Sequence, residues 1–281
     1  MTIARTSFVS APADRCIRQT DVVVGLLLCG CVNGYMFPVL EWLRGTSSEG
    51  LGALPVNLLD LIVIVIAVQL LRAPSEELAA RHSAARLGWK DVTAAALFCL
   101  PSGAAAWLAT GGYALSCAQR SSQQVRLGCV LFAGLAAVQL WNTVFIKWFA
   151  IHLGLADAVM TKTALSLVRD GVERAGNVVS SPNGHAVVLF AGCLTASIIP
   201  RLLLVQAAVY FAIGLRDPVR LAIGLAWIAA LAMVANILRL TLMAASADWH
   251  ELLHGAVGVS LFELGMVAMV LLLNPDHREE P

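Results

Sequence analysis

GNVVSSPNGHAVVLFAGC, residues 176–193, is the stretch around which the rest of the chain is arranged. Ser181-Pro182-Asn183-Gly184 is a strong turn signal between two short runs, 177–180 and 185–189, and it predicts a β-hairpin. From Phe190 onward the residues are apolar and predict a membrane helix, with Cys193 near its beginning. The stretch therefore places a thiol directly after a polar hairpin, near the start of a membrane helix. A cysteine in this position serves either as a nucleophile or only as packing.

The composition of the whole chain is that of an integral membrane protein. Of the 281 residues, 59% are hydrophobic and 13% are charged, and the mean hydropathy is +0.78. A soluble domain has about 25% charged residues. We therefore predict a single polytopic membrane domain over residues 1–281. The net charge of +1 gives no electrostatic basis for binding nucleic acid.

About seven apolar runs have the length of a membrane helix, which predicts an all-α transmembrane bundle of about seven to eight spans. These runs cover residues 22–40, 54–72, 92–115, 127–153, 187–213, 219–245 and 252–273. Between the fourth and fifth runs, LADAVMTKTALSLVRDGV (155–172) has apolar residues at helical spacing. It predicts a short amphipathic helix on the bilayer surface ahead of the hairpin, with a plain connecting loop as the alternative.

Loop charges predict an orientation for the C-terminal spans. The loop 214–220 holds two arginines and is predicted to be cytoplasmic, whereas 246–251 holds only acidic charges and is predicted to be outside. Cys193 then faces the extracytoplasmic side. The basic loop 73–91 is also predicted to be cytoplasmic, which does not fit seven simple spans. Either 92–126 contains a further crossing or a re-entrant element, or the front half is inverted.

The seven cysteines show no C-x-x-C spacing, so the sequence predicts neither a zinc site nor a disulfide framework. No metal or organic cofactor is implied. Most of the cysteines lie inside apolar runs, where a cysteine is typically a small packing residue. Cys193 also lies in such a run, but it directly follows the predicted hairpin and is therefore the one cysteine that we treat as a functional candidate.

Ionisable residues within the apolar runs are costly to bury and are therefore functional candidates. At a rise of about 1.5 Å per residue, Arg201 lies about 12 Å below Cys193 and Glu263 about 13 Å below His254. The matching depths predict a buried, structural Arg201–Glu263 ion pair. Asp60, in the second run, is a further charge of this kind.

Cys193, Arg239 and His254 form a second set of candidates. If their three helices are neighbours, the side chains converge at the extracytoplasmic end of the helix bundle. A thiolate is a nucleophile, a histidine can take its proton, and a guanidinium can stabilise the oxyanion of a tetrahedral intermediate. This combination predicts acyl transfer at a peptide carbonyl. The alternatives are packing for the cysteine, snorkelling for the arginine and simple hydration for the histidine.

The order of these residues resembles the exosortase/archaeosortase family of membrane transpeptidases. Cys193 is followed by A-N-x-x-R at 235–239 and by H-x-x-x-G at 254–258, and Gly176-Asn177 precedes the hairpin. The resemblance covers roughly residues 127–270. We therefore interpret 127–273 as an exosortase-like catalytic core and 1–126 as front spans of unassigned role.

The resemblance implies a cysteine protease and transpeptidase, formally a hydrolase, in the bacterial inner membrane with its active site on the extracytoplasmic side. Its substrates are exported proteins that end in a short motif, a hydrophobic helix and a basic tail. The enzyme cleaves near the motif and transfers the chain to an acceptor. In Gram-negative bacteria such protein-sorting systems often accompany exopolysaccharide genes.

Residue by residue, the resemblance implies that Cys193 is the nucleophile, His254 the general base and acid, and Arg239 the stabiliser of the oxyanion or substrate. Asn236 supports Arg239. The family's usual Ser-Gly after the cysteine is replaced here by Leu-Thr. Either Thr195 or Ser197 supplies the missing hydroxyl, or the chain represents a divergent subfamily. His250 is the alternative to His254 as the base, and Gly258 at the family spacing favours His254.

Two other functions stay open at this point. A non-enzymatic transporter, or an assembly component of envelope polysaccharide export, would depend on Arg201, Glu263 and Asp60 and would use Cys193 only for packing. A degenerate member of the family would bind sorting signals without cleaving them.

Overall fold

A computed structural model describes residues 19–44, 56–73, 87–119 and 121–274. This part of the chain is all-α apart from one small sheet. The helices are α1 (Gln19–Leu43), α2 (Leu58–Arg72), α3 (Trp89–Phe98), α4 (Gly103–Ala118), α5 (Gln123–Leu140), α6 (Ile146–Ser166), α7 (Thr195–Ala212), α8 (Pro218–Ala245), α9 (Ala247–His254) and α10 (Ala256–Leu273). The strands are β1 (Glu173–Ala175), β2 (Val178–Ser180) and β3 (Ala186–Val188).

Four helical segments in the described part are long and apolar enough to cross a membrane: α1, the joined α5 and α6, α7 and α8. A fifth is counted only if α9 and α10 are taken together, and these two helices meet at 64°. Several predicted runs therefore form shorter or broken helices. The described residues thus contain fewer simple membrane-length helices than the seven to eight spans predicted. Most of the basic loop within 73–91 lies outside the described residues.

The third predicted run, 92–115, is two helices rather than one. Pro101 lacks a backbone N–H and disfavours a helical residue before it, so α3 ends at Phe98 and α4 begins after a short connection. Asn33 of α1 donates to Leu100 O at 2.9 Å within that connection. Tyr113 of α4 donates to a carboxylate oxygen near the start of α3 at 2.6 Å. α3 and α4 therefore form a helical hairpin held against α1.

The fourth run and the amphipathic segment form one continuous helical segment of 44 residues, Gln123–Ser166. A π turn, Trp141–Phe145, joins α5 to α6. The expectation of a separate surface helix is therefore wrong, because no proline interrupts the chain between the two parts. At about 1.5 Å per residue the segment is about 66 Å long, well beyond the roughly 30 Å of a hydrocarbon core.

Helices α2 and α5 pack antiparallel. Gln139, near the end of α5, donates to Asp60 at the start of α2. Gly128, near the start of α5, lies beside Leu71 at the end of α2, and a Cβ there would be 2.8 Å from the Leu71 side chain. The absence of a side chain at Gly128 allows this close approach.

The sheet is antiparallel in the order β1-β2-β3, with Val178 opposite Val188. Gly176 and Gly184 have φ of 62° and 84°, which suits the two turns that connect the strands. The sheet packs against α6 where Gly154 leaves room, because a Cβ there would be 3.4 Å from Leu189 O.

Cys193 lies at the end of a short 3-10 turn, Ala191–Cys193, and α7 begins only at Thr195. The cysteine therefore precedes the helix, and the fifth run, 187–213, starts as a strand. A buried apolar cluster surrounds this turn and joins α6, the sheet and the end of α8; its members include Ile146, Leu165, Val179, Val187, Leu189, Leu240 and Met243. A separate, larger cluster fills the bundle formed mainly by α1, α2, α4, α5 and α7.

Candidate active site

The Cys193 thiol and the His254 imidazole meet at the junction of α7, α8 and α9. Cys193 Sγ lies 3.8 Å from His254 Nδ1, a separation that suits a weak hydrogen bond to sulfur. Cys193 is 6% exposed, whereas His254 ends α9 on an exposed surface. The thiol is thus sheltered while its partner contacts solvent, an arrangement suited to proton exchange.

His250, the rival base, lies behind His254 rather than against the thiol. The two rings stack with centroids 5.3 Å apart and an interplanar angle of 14°. Behind His250 lies His185, with ring centroids 5.7 Å apart. Burial, and secondarily the charges on His254 and His185, lower the pKa of His250. His250 therefore favours the neutral form beside the residue that contacts Cys193.

Arg239 is anchored to the residue that precedes the histidine. Its Nε and Nη2 donate to Leu253 O at 3.3 Å and 2.9 Å, and its guanidinium carbon lies 4.9 Å from the Phe262 ring centroid. Arg239 is 7% exposed and close enough to Cys193 for the two to interact electrostatically. Two of its five N–H groups bind Leu253, and the remaining three are donors that can serve a substrate oxyanion.

Gly258 explains the spacing of the H-x-x-x-G sequence. A Cβ at Gly258 would overlap Leu252 O and would lie 2.7 Å from Leu253 Cα. Only a glycine lets the start of α10 pack this closely on the end of α9. The carbonyl that holds Arg239 and the backbone that carries His254 both belong to this junction, so Gly258 fixes the positions of both side chains.

Asn236 has a different role from the one predicted. It does not bind Arg239; its Nδ2 donates to Cys193 O and to Thr195 Oγ1, both at 3.0 Å. Asn236 is fully buried, so these bonds hold the cysteine turn from the side of α8. Ser197, the other hydroxyl candidate, donates to Ala191 O within the same turn.

Asn177 holds the other end of the turn that carries the cysteine. Its Nδ2 donates to Leu189 O at 3.0 Å, and the backbone N–H of Leu189 donates to Asn177 O at 3.0 Å. Leu189 lies four residues before Cys193, directly after β3. The Gly-Asn pair at 176–177 therefore attaches the sheet to the segment that leads to the nucleophile candidate.

The predicted Arg201–Glu263 ion pair is replaced by a different pairing. Arg201 Nε lies 3.8 Å from Asp60 Oδ1, while Glu263 accepts a hydrogen bond from Asn57 Nδ2 at 2.6 Å. Asp60, 2% exposed, also accepts from Tyr35 Oη at 2.9 Å. Both acidic residues lie at a depth that Arg201 can reach, so helix rise alone could not choose between them.

Asp157 is the site residue that the sequence did not single out. It lies on α6, is 4% exposed and accepts a hydrogen bond from Thr195 N at 2.8 Å. In the sequence it was one polar residue of an amphipathic stretch, and only the continuous course of α6 brings it to the start of α7. Its contact with the residue two positions after Cys193 is therefore a tertiary feature.

Among the described residues, no group of three or more His, Cys, Asp or Glu side chains could hold a metal ion. No family model matches the chain, and no curated protein or solved structure matches it either. Function is therefore inferred from the site itself. A sheltered thiol, a histidine and an anchored guanidinium are the groups that acyl transfer requires.

Proposed function

We propose that the protein is a membrane-embedded cysteine protease and transpeptidase that cleaves C-terminal sorting signals of exported proteins and transfers the chains to an acceptor. The observation that carries the proposal is the convergence of Cys193, His254 and Arg239 from three separate segments. The 3.8 Å approach of Sγ to Nδ1 supplies a nucleophile with a base. The bond from Arg239 to Leu253 O places a cation donor beside them.

The acylation step uses the thiol and the imidazole together. The S–H proton of Cys193 passes to His254 Nδ1, so the neutral imidazole carries its own proton on Nε2 beforehand. Sulfur bonds to the carbonyl carbon of the scissile peptide, and the carbonyl electron pair moves onto oxygen. When the carbonyl re-forms, the C–N bond breaks and the imidazolium gives its proton to the leaving amine. The product is a thioester on Cys193.

Arg239 stabilises the negative oxygen during this step. Its guanidinium is fixed by Leu253 and stacks on Phe262, so it needs little reorganisation when charge develops. Attack on the thioester by an acceptor nucleophile, or by water, passes through a second oxyanion at the same place and releases the thiol. Transfer and hydrolysis then differ only in the nucleophile that enters.

We also propose that the active site faces the extracytoplasmic side of a bacterial inner membrane. Basic residues lie at the helix ends remote from Cys193: Arg72 ends α2, Lys90 begins α3, Arg126 begins α5 and Arg216 follows α7. Positive charges favour the cytoplasmic face. In this orientation α10 crosses the bilayer and α9 lies at its outer surface.

A re-entrant pair formed by α3 and α4 supports this orientation. α3 has 10 residues, or about 15 Å, which is half of a hydrocarbon core of about 30 Å. Its connection to α4 is bound to Asn33, within α1, and not to a helix end. Between α2 and α5 the chain then enters the bilayer and leaves it again on the same, cytoplasmic, face. This course reconciles a cytoplasmic 73–91 with an extracytoplasmic Cys193.

The experiment is processing of a tagged exported protein in cells that carry the wild-type protein or a cysteine variant. Cys193→Ala and Cys193→Ser should each leave the reporter uncleaved at normal expression, whereas Cys29→Ser, at an exposed cysteine, should process it normally. If Cys193→Ala processes the reporter, the proposal fails. The transporter alternative gains support if, in addition, Arg201→Ala abolishes the cellular function of the protein while Cys193→Ala retains it.

A further inference from the structure

The turn that carries Cys193 has few backbone bonds of its own. Cys193 N donates to Phe190 O at 2.9 Å, and Leu194 N donates to Ala191 O at 3.4 Å. Leu194 is extended, with φ −72° and ψ 137°, so α7 begins after it, at Thr195. A thiol on so short a turn needs other parts of the fold to fix its position.

Asp157 supplies that fixation from α6. Its Oδ2 accepts from the backbone N–H of Thr195, the first residue of α7, at 2.8 Å. An N–H in the first turn of a helix has no partner within the helix, and the carboxyl group serves as that partner. Within the described part of the chain Asp157 has no ion-pair partner, so its contacts are directed to the Thr195 peptide.

Asn236 holds the same segment from the opposite helix. Its amide donates to Cys193 O and to Thr195 Oγ1, and both Asn236 and Asp157 are almost fully buried. Thr195 is therefore held at its hydroxyl by an amide donor from α8 and at its backbone N–H by a carboxyl acceptor from α6. This chain of contacts connects both neighbouring helices to the peptide that carries the thiol.

We propose that Asp157 is a positioning residue for Cys193. Its carboxyl group caps α7 and, with Asn236, clamps residues 193–195 so that Sγ stays within reach of His254 Nδ1. Without the Asp157 carboxyl group, the turn that carries Cys193 becomes mobile, and Sγ moves away from His254 Nδ1. The proposal deepens the proposed function, because it adds a residue needed for activation of the same nucleophile. The contact between thiol and histidine does not itself depend on which substrate is processed.

The test compares Asp157→Ala with Asp157→Asn in the full-length protein in detergent micelles. The asparagine keeps an oxygen acceptor for Thr195 N and the alanine does not. Alkylation by iodoacetamide is followed from about pH 5 to about pH 9, and the modified Cys193 peptide is quantified by mass spectrometry. Added glutathione is an internal control for reagent activity, and Asp170→Ala is a control for loss of an exposed acidic side chain.

Asp157→Ala should shift the alkylation profile of Cys193 to higher pH, because the thiol no longer shares its proton with His254. It should also reduce turnover of the reporter by about 10- to 100-fold with little change in KM, the effect of a displacement of about 1 Å. Asp157→Asn should recover most of both losses. A folded Asp157→Ala protein with the wild-type alkylation profile overturns the proposal, as does an asparagine variant no better than alanine.

Failure of the proposed function has a different signature. If the wild-type protein processes no reporter but the alkylation profiles of the two variants differ as expected, the sorting reaction is wrong and the positioning role stands. Thermal unfolding of each variant separates the two effects from simple misfolding. A residue that only stabilises the fold would lower the unfolding temperature in both variants and leave the pH profile of the Cys193 thiol unchanged.

Discussion

Gly258→Ala should disable the site without touching any side chain that takes part in the chemistry. The added Cβ would lie 2.7 Å from Leu253 Cα and would overlap Leu252 O. Ordinary carbon contacts are about 3.5–4.0 Å, so α9 and α10 must separate by about 1 Å. Leu253 O holds Arg239 and the next residue is His254, so this separation moves both partners of the thiol.

The expected loss in turnover is about 100-fold, since a misplacement of about 1 Å costs about that factor. A 100-fold loss corresponds to about 2.7 kcal/mol in the activation barrier. Overpacking also costs about 1–3 kcal/mol of folding stability. The better helix propensity of alanine offsets about 1 kcal/mol of that. The variant should therefore fold while its activity falls.

The matched control is Gly265→Ala on the same helix, where an added Cβ meets nothing within 4 Å. It should keep wild-type turnover and be slightly more stable. Both variants are assayed by reporter processing at equal amounts of membrane protein, with thermal unfolding measured in detergent. A folded Gly258→Ala variant that processes the reporter at the wild-type rate would refute the proposed coupling between this junction and the site.

Three further predictions concern the remaining polar groups. Arg239→Lys should lower kcat by about 10²- to 10³-fold, because an ammonium cannot reproduce the forked contact of the guanidinium; single-turnover reporter cleavage measures this. Asp60→Ala should lower the free energy of unfolding by about 3 kcal/mol, since it removes the buried carboxyl group that Arg201, Tyr35 and Gln139 all contact, and denaturant titration measures this loss. His250 has a lowered pKa, so the unfolded chain binds its proton first and stability falls as the pH drops through about 6.5. His250→Gln should reduce that acid-dependent fall in unfolding temperature.

Helix α8 shows what the sequence can predict. The apolar run predicts a helix over 219–245, and the helix is Pro218–Ala245. Asp217 caps it by accepting from Val219 N at 2.9 Å, and Pro218 stands in the first turn, where its missing N–H is harmless. A long apolar run with local start signals fixes such a helix without help from the rest of the fold.

The parts that the sequence did not predict depend on tertiary contacts. Hydropathy alone merges α3 with α4, because the residues on both sides of Pro101 are equally apolar. It also ends the fourth span too early, since an amphipathic stretch can continue a helix just as it can start a new one. The exact position of Cys193, outside α7, follows from the contacts of Asp157 and Asn236.

Three residues of the candidate site were predictable, but Asp157 and the bonds between the site residues were not. Residue types and order indicated Cys193, Arg239 and His254 as a set. The sequence did not predict which residues Asn236 and Arg201 bind. When a side chain has two polar neighbours at a similar depth, only the packing of its helix decides which of them it contacts. The resemblance to a family of membrane transpeptidases likewise names residues but not the bonds between them.

Detection of the thioester on Cys193 tests the proposed function most directly. Wild-type protein is incubated with a reporter that carries a C-terminal motif, a hydrophobic helix and a basic tail, quenched in acid and digested for mass spectrometry. We predict an adduct on the peptide that contains Cys193, released by neutral hydroxylamine and absent from Cys193→Ala. Continued processing of the reporter with no such adduct, or an adduct that persists in Cys193→Ala, would contradict the proposed function.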